Sequence, residues 1–327
     1  MTRKKPIKTY RKRVIGSVGA ALLAAPLLLA NTSPSIYDRF VTLFTDDELT
    51  MVFVGDMMFD RYIRKKAEQF SYDWPLGGVY TLTKNADITV GNLEGPITSY
   101  PSKSLDSEIG SPDNFVFTFA PAVAGALADA GFDAVSIANN HSTNFGREGV
   151  EQTYAYLEKE GVAVFGNPYS TVQNAIVLEK KGYTVGLVGY NEFSSGAVQT
   201  TLQSINTLIA RNTDIIVVMA HWGQEYQQVP LQKDRDIAHQ FLTAGADFVV
   251  GAHPHVVQSK EVYEGKYIYY SLGNFVFDQY WNKHVSCGMA LRVTLQGGVW
   301  NFEEIPVYSK GDATTLVGGC AYELEQL

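Results

Sequence analysis

A chain of 327 residues, 46% of them hydrophobic, can bury a sizeable core as one large domain or two small ones. The formal charge of −8 conceals an asymmetry: residues 1–13 carry seven Lys and Arg and no acid, which leaves −15 on the rest. So acidic a body excludes bulk electrostatic binding of nucleic acid, and it disfavours a polyanionic partner unless metal ions or a local patch offset the field.

Taken in order, residues 1–13 form a basic n-region, and Val14 to Ala30 is an uncharged run of 17 residues. A spanning helix has a lower limit near about 17 residues, so the run reads as an uncleaved signal-anchor or a cleaved signal peptide. Leu28-Leu29-Ala30 is a poor small-x-small cleavage site, which favours the anchor. The basic flank then stays cytoplasmic, and the protein is single-pass at the cell membrane with its body extracytoplasmic, or secreted if the segment is cleaved. No Cys follows the run, which argues against a lipoprotein. Residues 31–49 read as a polar stalk.

Strand-like apolar runs follow at Leu49 to Val54, Asp87 to Val90, Ala134 to Ala138, Ile215 to Ala220 and Phe248 to Val250. Helical patterns lie at Arg61 to Phe70, Pro121 to Gly131, Arg147 to Glu160, Thr201 to Arg211 and Leu231 to Ala244. Tyr100 to Asn114, rich in Ser, Pro and Asp, reads as a long surface loop on the substrate side. Hairpin signals are Lys181-Gly182 between Ala175 to Glu179 and Thr184 to Val188, and Glu264-Gly265 between Val256 to Val262 and Tyr267 to Ser271. The last strands, Cys287 to Leu295 and Val299 to Val307, meet across Gly297-Gly298. The first part alternates strand and helix and the second is richer in hairpins. That mixture predicts two sheets with helices outside, not one doubly wound sheet. The chain shows no internal repeat, no G-x-G-x-x-G, no Walker loop and no G-x-S-x-G. Its two cysteines, Cys287 and Cys320, cannot make a disulfide framework; one bridge is open to them outside the cytosol, and their spacing gives no reason to make them metal ligands.

Five apolar runs end in ligand-type residues: Asp56; Asn92 with Glu94; Asn140 with His141; His221; and His253 with His255. In open α/β sheets ligand sites form at the C-terminal ends of strands. Taken singly, each has a structural explanation. Asp56 can be a helix N-cap, Asn139 and Asn140 can be left-handed turn residues, and a lone His221 is more often a satisfied structural histidine. Recurrence at corresponding strand ends is what a purely structural account fails to explain. Carboxylate plus imidazole suits Zn, Mn, Fe or Ni better than Ca or Mg. One carboxylate can bridge two ions about 3.5–4 Å apart, which together activate a water and clamp a leaving oxygen. His239 reads as a surface or packing residue, His284 as a loop residue with at most a rim role, and Tyr267, Tyr269, Tyr270 and Phe275 as mostly core.

These residues carry a family resemblance. The order Gly-Asp, Asn-Leu-Glu, Asn-Asn-His, His-Trp-Gly and Gly-x-His-Pro-His, then Ser271-Leu272-Gly273-Asn274-Phe275, resembles the CapA (PgsA) family of poly-γ-glutamate capsule biosynthesis proteins over roughly residues 50 to 308. That family is similar to the calcineurin-like metallophosphoesterases. The resemblance implies a four-layer αββα sandwich over 50–308, with a tail at 309–327, preceded by an N-terminal membrane helix at 14–30. It implies a role in synthesis, export or anchoring of poly-γ-glutamate beside membrane synthase subunits. The alternatives are an extracytoplasmic metallophosphoesterase unrelated to the capsule, acting on a phosphoester or amide, and a non-catalytic scaffold subunit.

Carried over position by position, the resemblance places Asp56 and His255 on a first divalent ion and Asn140, His221 and His253 on a second, with Glu94 bridging; the ions would be Mn, Zn or Fe, one or two in number. His141 takes the general-acid role. Asn92 and Glu225 become either ligands or partners that orient the imidazoles, and Asn139 and Asn274 become such partners. Two departures stand out. Met58 occupies the place where metallophosphoesterases commonly have His, and a thioether is a poor ligand for hard divalent ions, which weakens the first ion's site. Asn144 stands where Asp is expected, which loosens a hydrogen bond to His141.

Overall fold

The computed structural model describes residues 48–310, 313–316 and 320. The basic n-region, the 14–30 segment, nearly all of the stalk and most of the tail lie outside the described residues. Among the described residues, no helix is long and apolar enough to cross a membrane.

In chain order the elements are β1 (Leu49–Met57), α1 (Arg61–Gln69), α2 (Tyr80–Lys84), β2 (Ile88–Leu93), α3 (Ala122–Asp129), β3 (Ala134–Ser136), α4 (Gly146–Lys159), β4 (Ala163–Phe165), β5 (Ala175–Lys180), β6 (Tyr183–Asn191) and α5 (Ala197–Ala210). Then come β7 (Ile215–His221), α6 (Gln232–Ala244), β8 (Phe248–Ala252), β9 (Lys260–Tyr263), β10 (Lys266–Tyr269), β11 (Asn274–Val276), α7 (Lys283–Ser286), β12 (Cys287–Gln296), β13 (Val299–Lys310) and β14 (Ala313–Leu316). One sheet runs β14-β13-β12-β1-β2-β3-β4, with β11 alongside β1; the other runs β5-β6-β7-β8-β10-β9. Both are mixed: β1 to β4 are parallel while β12 runs antiparallel to β1, and β6-β7-β8-β10 are parallel while β5 and β9 run antiparallel at the edges.

The central strands are apolar on both faces, and the side-chain period of two deals them into separate layers. On β1, Val52 and Val54 enter a core with Ile63, Leu127 and Leu157 of the helices outside, while Met51 and Phe53 face the second sheet. There they meet Ile215, Val217 and Met219 of β7 and Phe248 of β8. The intervening Ile216 and Val218 turn outward to Ile205, Phe241 and Leu242 of α5 and α6. Three apolar layers therefore separate helices, sheet, sheet and helices, the αββα order expected from the sequence.

The strands are held level by a recurring device too dispersed to register as a sequence repeat. Asp87, Asp133, Asp214 and Asp247 each directly precede a parallel strand. Each carboxylate accepts a backbone N–H from the neighbouring strand, from Thr50, Thr89, Thr184 and Ile216 at 2.8–2.9 Å. With one edge of each sheet pinned, the opposite strand ends emerge together.

All three hairpin turns form where expected. Lys181-Gly182, Glu264-Gly265 and Gly297-Gly298 have positive φ at both positions, the requirement of the tight turn whose twist matches that of the strands. Other boundaries moved. The helix read from Thr201 begins at Ala197, and of Val256 to Val262 only the stretch from Lys260 onward is strand. Strands β4 and β11, of three residues each, are too short for a period to register. The Tyr100 to Asn114 loop is tethered at its base. Asp60 Oδ2 accepts from Ser102 Oγ (2.8 Å) and from the Thr118 N–H (2.9 Å). Past residue 308 the chain continues the sheet through β13 and β14, and Cys320 is disulfide-bonded to Cys287 at the start of β12.

Candidate metal centre

Backbone packing explains why the strand ends converge. At Gly55 a Cβ would stand 1.9 Å from the Gly273 carbonyl oxygen, so glycine alone lets β11 run along β1 and set Asn274 in register with Asp56. Asp56 is also in register with Asn92 of β2, and His221 with Ala252, the residue before His253. His253 and His255 have φ of 97° and 57° on either side of Pro254. Non-glycine residues rarely hold such angles unless their surroundings impose them, and such strain gathers at functional sites.

Asp56, Glu94, His221, His253 and His255 are all buried. Asp56 Oδ1 accepts from Asn92 Nδ2 at 2.8 Å, and both Asp56 oxygens accept the His253 backbone N–H at 3.2 and 3.0 Å. His255 Nδ1 lies 3.0 Å from Asn274 Oδ1 and 3.3 Å from Asp56 Oδ2. Both neighbours are acceptors, so Nδ1 carries the proton and the Nε2 lone pair points at Glu94 Oε1, 3.7 Å away. His221 Nε2 lies 2.8 Å from Asn140 Oδ1 and 3.9 Å from Glu94 Oε1. Two sets of donor atoms result, each within 4.8 Å of one another: Glu94 with His221 and His253, and Asp56 with Glu94 and His255. Glu94 belongs to both.

Among the described residues, neither Glu94 oxygen nor His253 Nδ1 has a hydrogen-bond partner, although all three atoms are buried. Buried polar atoms are normally satisfied, and an unpaired carboxylate in the interior is costly. Burial raises Glu94 well above the usual carboxylate range, and the neighbouring Asp56 and Glu225 carboxylates push it further. Burial likewise lowers two of the imidazoles, aided by the histidines around them. His221 falls well below the ordinary histidine value and His253 to about 4. Neutral imidazoles and an unsatisfied carboxylate aimed at one space are the donor set that a divalent transition ion requires.

His141 stands beside this cluster. Its Nδ1 faces two acceptors, the Phe115 carbonyl (3.1 Å) and Asn144 Oδ1 (3.2 Å), so the bond that the Asn144 departure was expected to loosen is present with the amide. Burial lowers its pKa to about 4. Met58 is turned away: it is buried, and its Sδ accepts the Asp60 N–H at 3.0 Å.

The structure thus brings Asp56, Glu94, Asn140, His221, His253 and His255 together, with His141 alongside. Asn92 and Asn274 bond directly to members of the cluster. Asn139 lies one step back, donating to Asn92 Oδ1 (3.1 Å) and the Leu93 carbonyl (2.8 Å) and accepting the His141 N–H (3.1 Å). Glu225 is half-buried and reaches the centre through its charge. His239 is a packing residue, stacked 3.8 Å from the Tyr263 ring. His284, on α7, lines with Tyr226, Gln227, Gln228 and Asn282 a cleft of about 330 Å³ whose lining includes none of the proposed ligands. The Tyr226 ring lies 6.1 Å from the His255 ring.

Several neighbours escaped the sequence reading. Phe193, half exposed, packs 4.8 Å from His253; Phe277 lies 4.7 Å from His255 and Phe117 4.4 Å from His141. Arg61 lies against both of those last two rings, which also pack on each other. Each sits in a loop or at a helix start with no periodic signal. Arg61 and Phe277 do come soon after β1 and β11, which carry Asp56 and Asn274, but Phe117 and Phe193 follow no strand that carries a proposed ligand.

A buried carboxylate–imidazole cluster at the level strand ends of an αββα sandwich defines an α/β protein built around a candidate divalent-cation centre. Residues 50–279 match the family described as bacterial capsule synthesis protein PGA_cap, and the chain belongs to that family. The PGA biosynthesis protein CapA of Bacillus subtilis (strain 168) is 32% identical over 284 residues, 82% of this chain and 73% of that protein. The capsule biosynthesis protein CapA of Bacillus anthracis is 32% identical over 257 residues, covering 73% of this chain and 62% of its own length. The resemblance drawn from the motifs is therefore a family relationship. Among solved structures, TT1561 of Thermus thermophilus overlays with a TM-score of 0.44 and 9% identity, over 78% of this chain and 98% of that one, too slight a likeness to bear on the site.

Proposed function

We propose that this protein acts in poly-γ-glutamate capsule biosynthesis outside the cytoplasmic membrane, as a metal-dependent hydrolase of metallophosphoesterase type working beside membrane synthase subunits. The observation that carries the reading is the Glu94 carboxylate, buried, unpaired and central to two donor sets. The names of the two CapA relatives support the capsule role. The Cys287–Cys320 disulfide suits an oxidising compartment, in keeping with residues 14–30 as a membrane anchor and the body outside.

In this reading Glu94 would be shared by two cation sites, one held with Asp56 and His255 and the other with Asn140, His221 and His253. Bound there, divalent ions would polarise the scissile group and activate a water. Asn274 holds the His255 tautomer that leaves Nε2 free, and Asn92 fixes Asp56. His141, its Nδ1–H held by Phe115 and Asn144, keeps Nε2 to carry a proton between water and the leaving oxygen. Being neutral near pH 7, the ring must first collect that proton before it can deliver it. Because the Met58 sulfur accepts from the Asp60 N–H, the Asp56 site has fewer protein donors and would hold an ion more weakly. That weakness is what favours the scaffold subunit as a second reading.

The test is elemental analysis and turnover of the full-length protein extracted from membranes, beside His253→Ala and His141→Ala. The expected result is a stoichiometric divalent metal, lost in His253→Ala, and hydrolysis of γ-linked glutamate polymer that falls with His141→Ala while the metal stays. Metal without turnover would favour the scaffold. Turnover of a generic phosphodiester but not of the polymer would favour a phosphoesterase unrelated to the capsule. A wild type with no bound metal ends the proposal.

A further inference from the structure

We propose that Arg61 is the residue that grips an oxyanion of the substrate at the edge of the centre, either a carboxylate of a glutamyl chain or a phosphoryl group. The inference deepens the reading of the centre as a substrate site and rests on that reading. It does not depend on the capsule assignment.

Arg61 opens α1 with φ of 50°, a left-handed conformation that bulky residues rarely adopt. The strain has a directional result. The guanidinium carbon is placed 5.1 Å from the Phe117 ring centre and 5.5 Å from that of Phe277. The same two rings pack on His141 and on His255, so the guanidinium sits one aromatic ring away from the proposed proton carrier and one away from a proposed metal ligand. Its positive charge reaches Glu94, which it favours in the ionised form, and His141, which it favours in the neutral form.

The bonding of Arg61 is incomplete. One terminal nitrogen pairs with Asp278, the other makes only a long contact of 3.5 Å to Asn114 Oδ1, and Nε is buried with no partner among the described residues. A guanidinium offers five N–H donors in a planar fork that matches a carboxylate or phosphoryl oxyanion. Arg64, one turn further along the same helix, shows what a structural arginine looks like here. Its Nε donates to Asp60 Oδ1 at 2.9 Å, and a terminal nitrogen donates to the Thr118 carbonyl. Arg64 is spent on the fold; Arg61 keeps donors in reserve, flanked by aromatic faces that strengthen a cation's hold on its position. A polyanionic chain approaching a body of −15 needs a local positive group, and Arg61 supplies one beside the reacting groups.

The experiment uses full-length protein with its metal content measured, and titrates two probes, a γ-linked glutamate decamer and inorganic phosphate, by calorimetry. Wild type is compared with Arg61→Met, Arg61→Lys and Asp278→Asn. The expected result is that wild type binds at least one probe. Arg61→Met weakens that binding tenfold or more, Arg61→Lys weakens it less, and Asp278→Asn tightens it two- to fivefold by releasing the fork. Metal content stays the same in all four. The probe that responds identifies the source of the oxyanion. Unchanged binding in Arg61→Met, no binding of either probe by wild type, or Asp278→Asn weakening binding as Arg61→Met does would each overturn the proposal; the last would make the pair a structural tether. If Arg61→Met does not fold, Arg61→Lys and Asp278→Asn decide. An absent metal with Arg61-dependent binding intact would sink the hydrolase reading and leave Arg61 as an oxyanion site.

Discussion

Glu94 and Glu261 are both buried glutamates beside histidine, in opposite states. Glu261, on β9, is saturated: His239 Nε2 lies 2.8 Å from one oxygen, while the Tyr270 hydroxyl (2.7 Å) and Arg235 Nε (3.2 Å) donate to the other. Burial pushes its pKa up, but Tyr270, His239 and Arg235 outweigh burial, and the net shift is downward. Glu94 has imidazole nitrogens no closer than 3.7 Å, no donor among the described residues in place to hold its charged form, and a pKa driven strongly upward by burial and by the Asp56 carboxylate beside it. The same residue types thus make a structural clasp in one place and a receptive centre in the other. Neither burial nor composition separates the two. What separates them is whether the lone pairs are already spent.

The comparison breaks most directly at Glu94. Glu94→Gln should cut divalent-metal affinity by roughly 100-fold or more, at or beyond the top of the 10–100-fold range seen for outer partners of a metal site. The metal-free protein should be no less stable than wild type, since burial already disfavours the charged form of Glu94 and glutamine has nearly the same size. A metal titration with a denaturant melt checks both, and an unaltered affinity would make Glu94 a structural residue. Asn274→Ala should come next, at about tenfold to 100-fold in affinity, because it frees the His255 ring from its proper tautomer.

Glu261→Gln should do the reverse. It should cost about 1–2 kcal/mol of folding stability at pH 7 through weakened charge-assisted hydrogen bonds. Metal affinity should be untouched, and any loss of metal in this variant would erase the distinction between the two glutamates. The smallest effect is its pH dependence. A carboxyl depressed in the folded state stabilises above its unfolded value, near 4.5, and that stability is lost as pH falls through the folded value. The stability gap between wild type and Glu261→Gln should therefore be constant from neutrality to about pH 5 and close below about pH 4.5. A gap that instead widened in acid would mean that the sign of the Glu261 shift is wrong.

Much of the centre was legible because each of its donors follows directly on an apolar run, and strand ends are where α/β sheets expose side chains. Asp56 after Val54-Gly55, His221 after Ala220 and the His253–His255 pair after Gly251-Ala252 all follow that rule. The hairpins were legible through their turn residues. Arg61 was not, because a basic residue at a helix start looks the same whether it faces solvent or two phenylalanines. The role of Met58 was readable as a missing ligand, but not the fact that its sulfur is held by Asp60. The four strand-leading aspartates were in plain view, and their meaning emerged only once each was seen to reach across to its neighbour.

The sequence alone determined which residues stand at strand ends, since a period of two and a few turn residues act within short stretches of chain. Tertiary structure decided which lone pairs stay unspent. The Asp56 carboxylate meets the His253 backbone 197 residues away, and Glu94 is left, among the described residues, with no donor to hold its charge, because long-range packing is what satisfies some buried groups and strands others.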